Sequence, residues 1–305
     1  MIKNLAFAGL LYLVSSNALS DQLVYLDYSD RPDQIMRVTI NSSSELEVDL
    51  RGDEELIEKN RLRGVTFPFE FSSYKTQKIL TKTGSPDKDG SFPFERVFED
   101  AAVYSEDRMG NRIQLPDPVN KMVGLVVKGV TNSQGKTKID SVEGGNLDPQ
   151  EREAIKSMFV SMLLNNEAPS YPLRVGDGYR VESPFEMPIP GQSPIKVITE
   201  THYILKKIED GRAIFDMTMT FRLSSDPRGA QLTANGKGFG RMVYNITASH
   251  IESVTSEMTM EMRLQAGDLV TTSKMRGTTS MEQSVVQDAQ HTPEPSLRER
   301  SGVVG

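Results

Sequence analysis

From residue 21 onward, apolar positions recur every second residue, which is the period of a strand with one dry and one wet face. Ala213 to Leu223 is the clearest case. Phe215, Met217, Met219, Phe221 and Leu223 alternate with Asp216, Thr218, Thr220 and Arg222. Ile251 to Leu264 repeats the pattern, with Val254, Met258, Met260, Met262 and Leu264 against Thr259, Glu261 and Arg263. Asp210-Gly211 predicts a tight hairpin joining a strand over 195–208 to the one over 213–223. Met242, Tyr244 and Ile246 mark another row, and 269–281 completes this half. In the first half, 23–28, 34–40 and 44–50 read as strands, and 65–72 places Val65, Phe67, Phe69 and Phe71 on one face. Residues 51–62 read as a short helix or exposed loop. Residues 121–130 and 136–142 read as a hairpin across Asn132-Ser-Gln-Gly135.

A different period interrupts this at 148–164. Asp148 is a good N-cap, Pro149 suits the first helical position, and Glu151 completes a capping box. Ile155, Met158, Phe159, Met162 and Leu163 then follow helical spacing. The predicted fold is mainly β. It is a strongly curved antiparallel sheet, or half-barrel, wrapped around a central helix at about 148–164.

The first twenty residues read as an export signal. Lys3 precedes an apolar run from Leu5 to Val14, and Ala18-Leu19-Ser20 fits signal peptidase, with cleavage between Ser20 and Asp21. The run is shorter than the ~20 apolar residues of a bilayer span. No cysteine follows it, so lipoprotein processing is not expected. The expected organisation is a signal peptide over 1–20, one β-rich domain over 21–283 and a disordered tail over 284–305. The domain divides into halves at 21–147 and 165–283. A formal charge of −7, or −8 once Lys3 is removed, argues against nucleic acid. The absence of cysteine excludes disulfides, thiolate metal sites and cysteine nucleophiles. Export without disulfides points to a Gram-negative periplasm.

Methionine is the unusual feature. Eight of the fifteen lie after residue 210, in the patterns Met217-x-Met219 and Met258-x-Met260-x-Met262. Thioethers suit Cu(I), which makes a copper protein one reading. They also suit a plastic apolar pocket, and the rows are shared with Phe215, Phe221, Val254 and Leu264. The expected pocket lining is Phe159, Met162, Phe215, Met217, Met219, Met258, Met260 and Met262. No cofactor and no metal site are expected. Gly236-Lys-Gly-Phe-Gly240 lacks the strand-loop-helix context of a phosphate loop and reads as a strand that clears one face. His202, His250 and His291 carry no triad or metal spacing. Glu257 and Glu261 share a strand face as glycosidase carboxylates can, but the lack of tryptophan leaves sugar stacking without support.

The segment Tyr171-Pro-Leu-Arg-Val-Gly-Asp-Gly, then Tyr203-Ile-Leu…Glu-Asp-Gly-Arg-Ala, then Gly236-Lys-Gly-Phe-Gly resembles a group of secreted bacterial proteins of unknown function. In that group a Pro-x-x-Val-Gly-Asp strand, a hairpin and a glycine-rich strand recur in this order. The resemblance covers about 120–265, and Gly178-Tyr179 stands where Ser-Trp is common. The architecture is also similar to LolA/LolB-like half-barrels, which implies a concave sheet able to hold acyl chains. The expectation is a non-enzymatic carrier of an apolar, lipid-like ligand. The alternative is an interaction protein of the cell envelope with a fully packed core.

Overall fold

The computed structural model describes residues 22–52, 54–62, 66–113, 121–153, 155–156, 168–187, 195–223 and 231–286. In chain order the elements are β1 (Ile35–Arg51), α1 (Glu54–Leu62), β2 (Phe69–Thr83), β3 (Phe92–Asp107), β4 (Arg112–Ile113), β5 (Val126–Thr131) and β6 (Thr137–Glu143). Then follow β7 (Gly178–Met187), β8 (Ile195–Glu209), β9 (Arg212–Leu223), β10 (Gln231–Asn245), β11 (His250–Ala266) and β12 (Leu269–Val285). The period-two pattern therefore becomes strands. α1 replaces the open choice at 51–62, and 22–28 is extended chain with a single bridge, Val24 to Leu173.

All the described strands belong to one antiparallel sheet, ordered β6-β5-β3-β2-β1-β12-β11-β10-β9-β8-β7, with β4 appended to β3. Most neighbours are joined by short turns. At Asp210-Gly211 both residues have positive φ, 50° and 72°, as the expected type I′ hairpin requires. The exception is the middle of the sheet. There β1 pairs with β12, the last described strand, from Met36↔Val285 to Arg51↔Val270. The sheet is not closed into a barrel: β6 and β7 are its edges, and both carry charged side chains, which discourage edge pairing.

Strand alternation divides the sheet into two faces. One carries Phe71, Leu46, Met275, Met260, Gly236 and Phe221 in a single cross-strand row, and is called the methionine face here. The other carries Glu70, Glu47, Lys274, Glu261 and Asn235 in the next row. The packed clusters lie on the methionine face, the two larger ones at its ends, while Ile214 is buried on the opposite face. At the β7–β11 end, Leu205, Phe215, Met217, Met242 and Tyr244 pack with Val24, Leu26 and Leu173. At the β3–β6 end, Phe94, Phe98, Val127 and Ile139 pack with Met122, Leu125 and Ile155. A small third cluster joins Val197 and Leu232 to Phe221 and Leu264.

The expected helix is described only at its start, over 149–153 and 155–156. The capping box is present: Asp148 Oδ1 accepts from the Glu151 N–H at 2.8 Å, and Glu151 Oε2 accepts from the Asp148 N–H at 3.0 Å. Ile155 anchors this turn in the β3–β6 cluster, at one end of the sheet and not at its centre. Phe159 and Met162 lie outside the described residues, as do Ser20 and Asp21.

The face assignment has a direct stability consequence. Phe215 is wholly buried and Phe239 is 56% exposed on the opposite face. Phe215→Ala is expected to cost about 3–5 kcal/mol in urea unfolding followed by circular dichroism. Phe239→Ala is expected to cost less than about 0.5 kcal/mol. Equal losses would show that the faces are wrongly assigned.

Candidate ligand-binding face

The middle of the methionine face is built by β9 to β12, β1 and β2. Met260 stands opposite both Met275 and Gly236, and Met258 stands between Gly238 and Gly277. The glycines are seats for the larger side chains of the neighbouring strands. A Cβ on Gly238 would stand 2.7 Å from Met219 Cε, and one on Gly277 would stand 3.2 Å from Met258 Cε. A Cβ on Gly236 would stand 2.6 Å from the Phe221 ring. The glycine-rich segment thus clears one face of β10 so that Phe221, Met219 and Met258 can lie across it. Toward β2 the same face continues as Leu46, Phe71 and Phe69, the two rings 5.6 Å apart.

The expected lining residues divide between two settings. Phe215 and Met217 are packed within the β7–β11 cluster. Met219, Met258 and Met262 are half-buried, Met260 is 3% exposed, and none of these four belongs to the three packed clusters. Among the described residues the strands contact their sheet neighbours, β9 also meets β11, and α1 meets β1. Met258 and Met260 have glycine or methionine beside them in the sheet, while Thr201 flanks Met219 and Ser273 flanks Met262. Among the described residues no group of three or more histidine, aspartate or glutamate side chains is placed to hold a metal ion.

A strap formed by the first described residues crosses the methionine face. The Asp27 N–H donates to the Tyr244 hydroxyl at 3.1 Å, and that hydroxyl donates to Asp27 O at 3.2 Å. Tyr28 shares a hydroxyl–hydroxyl hydrogen bond with Tyr179 of β7. Two residues later, Asp30 pairs with Arg96 of β3 at 2.7 Å. Tyr179 stacks on Tyr203 at 4.7 Å and meets Phe215 edge-on. Desolvation pushes the Tyr28, Tyr179 and Tyr203 phenols above their ordinary range. The sequence pattern places Tyr28 in a strand over 23–28, but nothing in it marks the contacts that Tyr28 and Asp30 make across the face.

The opposite face is an array of ion pairs, among them Lys274 to Glu47 at 3.1 Å, Arg222 to Glu182 at 2.9 Å and Arg212 to Glu252 at 2.5 Å. The Arg212 guanidinium, hydrogen-bonded to Glu252, holds that carboxyl below the usual glutamate range. His202 and Glu200 share this face. Glu257 and Glu261 do also, but their Cα atoms are about 13 Å apart along the strand. That exceeds the roughly 5–10 Å between carboxyl groups in glycosidases. Two grooves cross the strands on this face. One, of about 900 Å³, lies between the rows of Glu45 and Glu47, and one of about 780 Å³ lies between those of Asn41 and Ser43.

No family model and no curated protein matches this chain. Among the solved structures that align with it are outer membrane channels. One from Pseudomonas putida F1 is 7% identical, over 85% of this chain and 98% of that one, at a TM-score of 0.23. Pseudomonas aeruginosa OpdQ is 8% identical, over 83% and 98%, at 0.24. Pseudomonas aeruginosa OpdL is 7% identical, over 83% and 99%, at 0.25. Scores of this size carry no argument about fold or function. Among the described residues no helix is long and apolar enough to cross a membrane, which says nothing of crossing by strands.

The tyrosine cluster sets a pH dependence. Phenols whose pKa is raised by folding contribute stability that is complete below the ordinary tyrosine value and is lost above it. Unfolding free energy is therefore expected to be insensitive to these groups up to about pH 9.5 and to fall beyond about pH 10. Phenolate absorbance should show Tyr28, Tyr179 and Tyr203 ionising only with unfolding. Ionisation of all the tyrosines near pH 10 in the folded protein would contradict the buried cluster.

Proposed function

We propose that the chain is an exported, periplasmic, non-enzymatic binding module that holds an apolar chain, such as a lipid acyl chain, against its methionine face. The observation that carries this reading is the half-buried band of methionine, phenylalanine and glycine left between two filled ends of the sheet. Thioether side chains adapt to guests of varied shape, and their glycine seats let them lie flat.

The strap supports the half-barrel shape that such a site needs. Tyr28 reaches β7 and Asp30 reaches β3. In a flat sheet these strands would be eight spacings apart, roughly 38 Å. Their partners would also be offset by six rows, about 20 Å along the strands. Two extended residues span only about 7 Å, and the tyrosine and arginine arms at either end do not make up the difference. A sheet curled toward the methionine face brings both partners within reach, and it makes the methionine band the inner surface. Export rests on the apolar run 5–14 and the small residues at 18 and 20.

The test is titration of the full mature chain with cis-parinaric acid, read by its fluorescence. Saturable binding is expected, and Met258→Gln with Met262→Gln should weaken it about tenfold, or ~1.4 kcal/mol. Both side chains are half-buried and have volumes close to glutamine, so the variant should fold. Absence of saturable binding, or binding unchanged in the variant, would overturn the reading.

A further inference from the structure

We propose that the guest of the methionine face is a single-chain anionic amphiphile, a long-chain fatty acid carboxylate, whose head group pairs with Lys75. The proposal rests on the apolar-chain reading of that face and adds the chemistry of the head group. Among the described residues of β1, β2 and β9 to β12, alternation puts one charged side chain on the methionine face, Lys75 of β2. It stands opposite Ser42 of β1 and is half-buried. The charged groups that β3 brings to the same face are engaged. Arg96 pairs with Asp30 at 2.7 Å, and Asp107 accepts from the Met109 and Asn111 N–H groups of its own turn. Glu99, at the β3 bulge, pairs with Arg37 at 3.0 Å. Among the described residues Lys75 has no such partner.

A lysine stem tolerates apolar surroundings if its ammonium reaches water. Here, however, the ammonium belongs to a polar island. Ser42 is directly across from Lys75, Ser73 and Gln77 lie two residues to either side on β2, and Ser44 is one row on. Thr279 of β12 stands opposite Ser42. Across the strands the polarity then falls. Gly277 is next to Ser44, Met258 is next to Gly277, and Met219 follows beyond Gly238. Met258 lies over Gly277, its Cε 3.2 Å from where a Cβ would stand. One row further on, Leu46, Met275 and Met260 run alongside.

A cation and hydroxyl groups on β2 and β1, leading to thioethers on β12 to β9, match the two ends of an amphiphile. The lengths agree as well. Lys75 and Met258 are three strand spacings apart, about 14 Å. A bilayer's hydrocarbon core is about 30 Å thick, so one acyl chain reaches about 15 Å. The head group follows from the charge. One ammonium compensates one negative charge, and neighbouring serine hydroxyls donate to the remaining lone pairs. A carboxylate is matched by that set. A phosphate monoester, with about −1.5 to −2 charges at pH 7, would leave charge uncompensated on an apolar face.

The experiment compares cis-parinaric acid with its methyl ester, the same chain without the charge. Each is titrated into the full mature chain at about pH 8, where the carboxylate is ionised. The acid is expected to bind about tenfold more tightly, the size of one charge-assisted contact. Lys75→Gln should remove that preference by weakening the acid alone, and Lys75→Arg should keep it. An unchanged affinity for the ester also reports that the variant is folded. Palmitate should displace the bound acid more effectively than lysophosphatidylglycerol does. Equal affinities of acid and ester in the wild type, or a Lys75→Gln variant that weakens both alike, would overturn the carboxylate site while leaving the methionine face as an acyl-chain site. So would stronger displacement by lysophosphatidylglycerol, which would make the head group a phosphate. A Lys75→Gln variant that self-associates but still prefers the acid would overturn it too, because the lysine would then only guard the face against other copies of the chain. Saturable binding of neither probe would overturn the acyl-chain reading and this proposal together.

Discussion

The pairing of β1 with β12 is the constraint on which the rest depends. It joins the first described strand to the last, so both halves share one hydrogen-bonded ladder and one pair of faces. Without it each half would present a long unpaired edge, which natural sheets avoid. A contact between segments this far apart is entropically costly to close and is made good only by a long register. Sixteen successive residues of β1, from Met36 to Arg51, supply it. A shift of one residue would move every methionine of β12 to the charged face and every lysine and arginine to the apolar one.

Given that ladder, side-chain size decides what each face can do. On the methionine face the glycines of β10 and Gly277 of β12 accept side chains from adjacent strands, so the central band stays low while the two ends fill with aromatic and aliphatic groups. The strap holds the β7–β11 and β3 regions together through two polar contacts, a tyrosine pair and an ion pair. On the other face acids and bases pair across strands, as Lys274 does with Glu47 and Arg222 with Glu182, alongside aliphatic positions such as Ile214 and Val243.

Much of the sheet was legible in the sequence because alternation is a local signal. Phe215 through Leu223 and Val254 through Leu264 declare their faces without reference to any partner. The hairpin at Asp210-Gly211 and the capping box at Asp148 and Glu151 are equally local, and the structure contains both. What was not legible is what depends on register between distant segments. The role of Gly236 and Gly238 as seats requires knowing that Phe221 and Met219 lie beside them. The polar setting of Lys75 is equally hidden, because Ser42 and Thr279 come to it from distant segments. Alternation at 23–28 predicts a strand, but that segment makes only the single bridge Val24 to Leu173, and its cross-face contacts through Tyr28 and Asp30 depend on distant partners. Of the expected helix only the start is described, and there Ile155 packs in the β3–β6 cluster, a contact between distant segments that helical periodicity does not specify.

The first-to-last strand pairing can be tested directly, since the chain has no cysteine of its own. Ser43 and Thr278 face each other with their hydroxyl oxygens 2.8 Å apart. Ser43→Cys with Thr278→Cys should therefore close an intramolecular disulfide under mild oxidation, given that bridged sulfurs approach to about 2.05 Å. Ser43→Cys with Thr279→Cys should not, because Thr279 points to the opposite face. The account predicts a monomeric, oxidised product from the first pair and free thiols from the second. Free thiols or only intermolecular bridges from the first pair would contradict the shared ladder, and with it the two faces on which the proposed function rests.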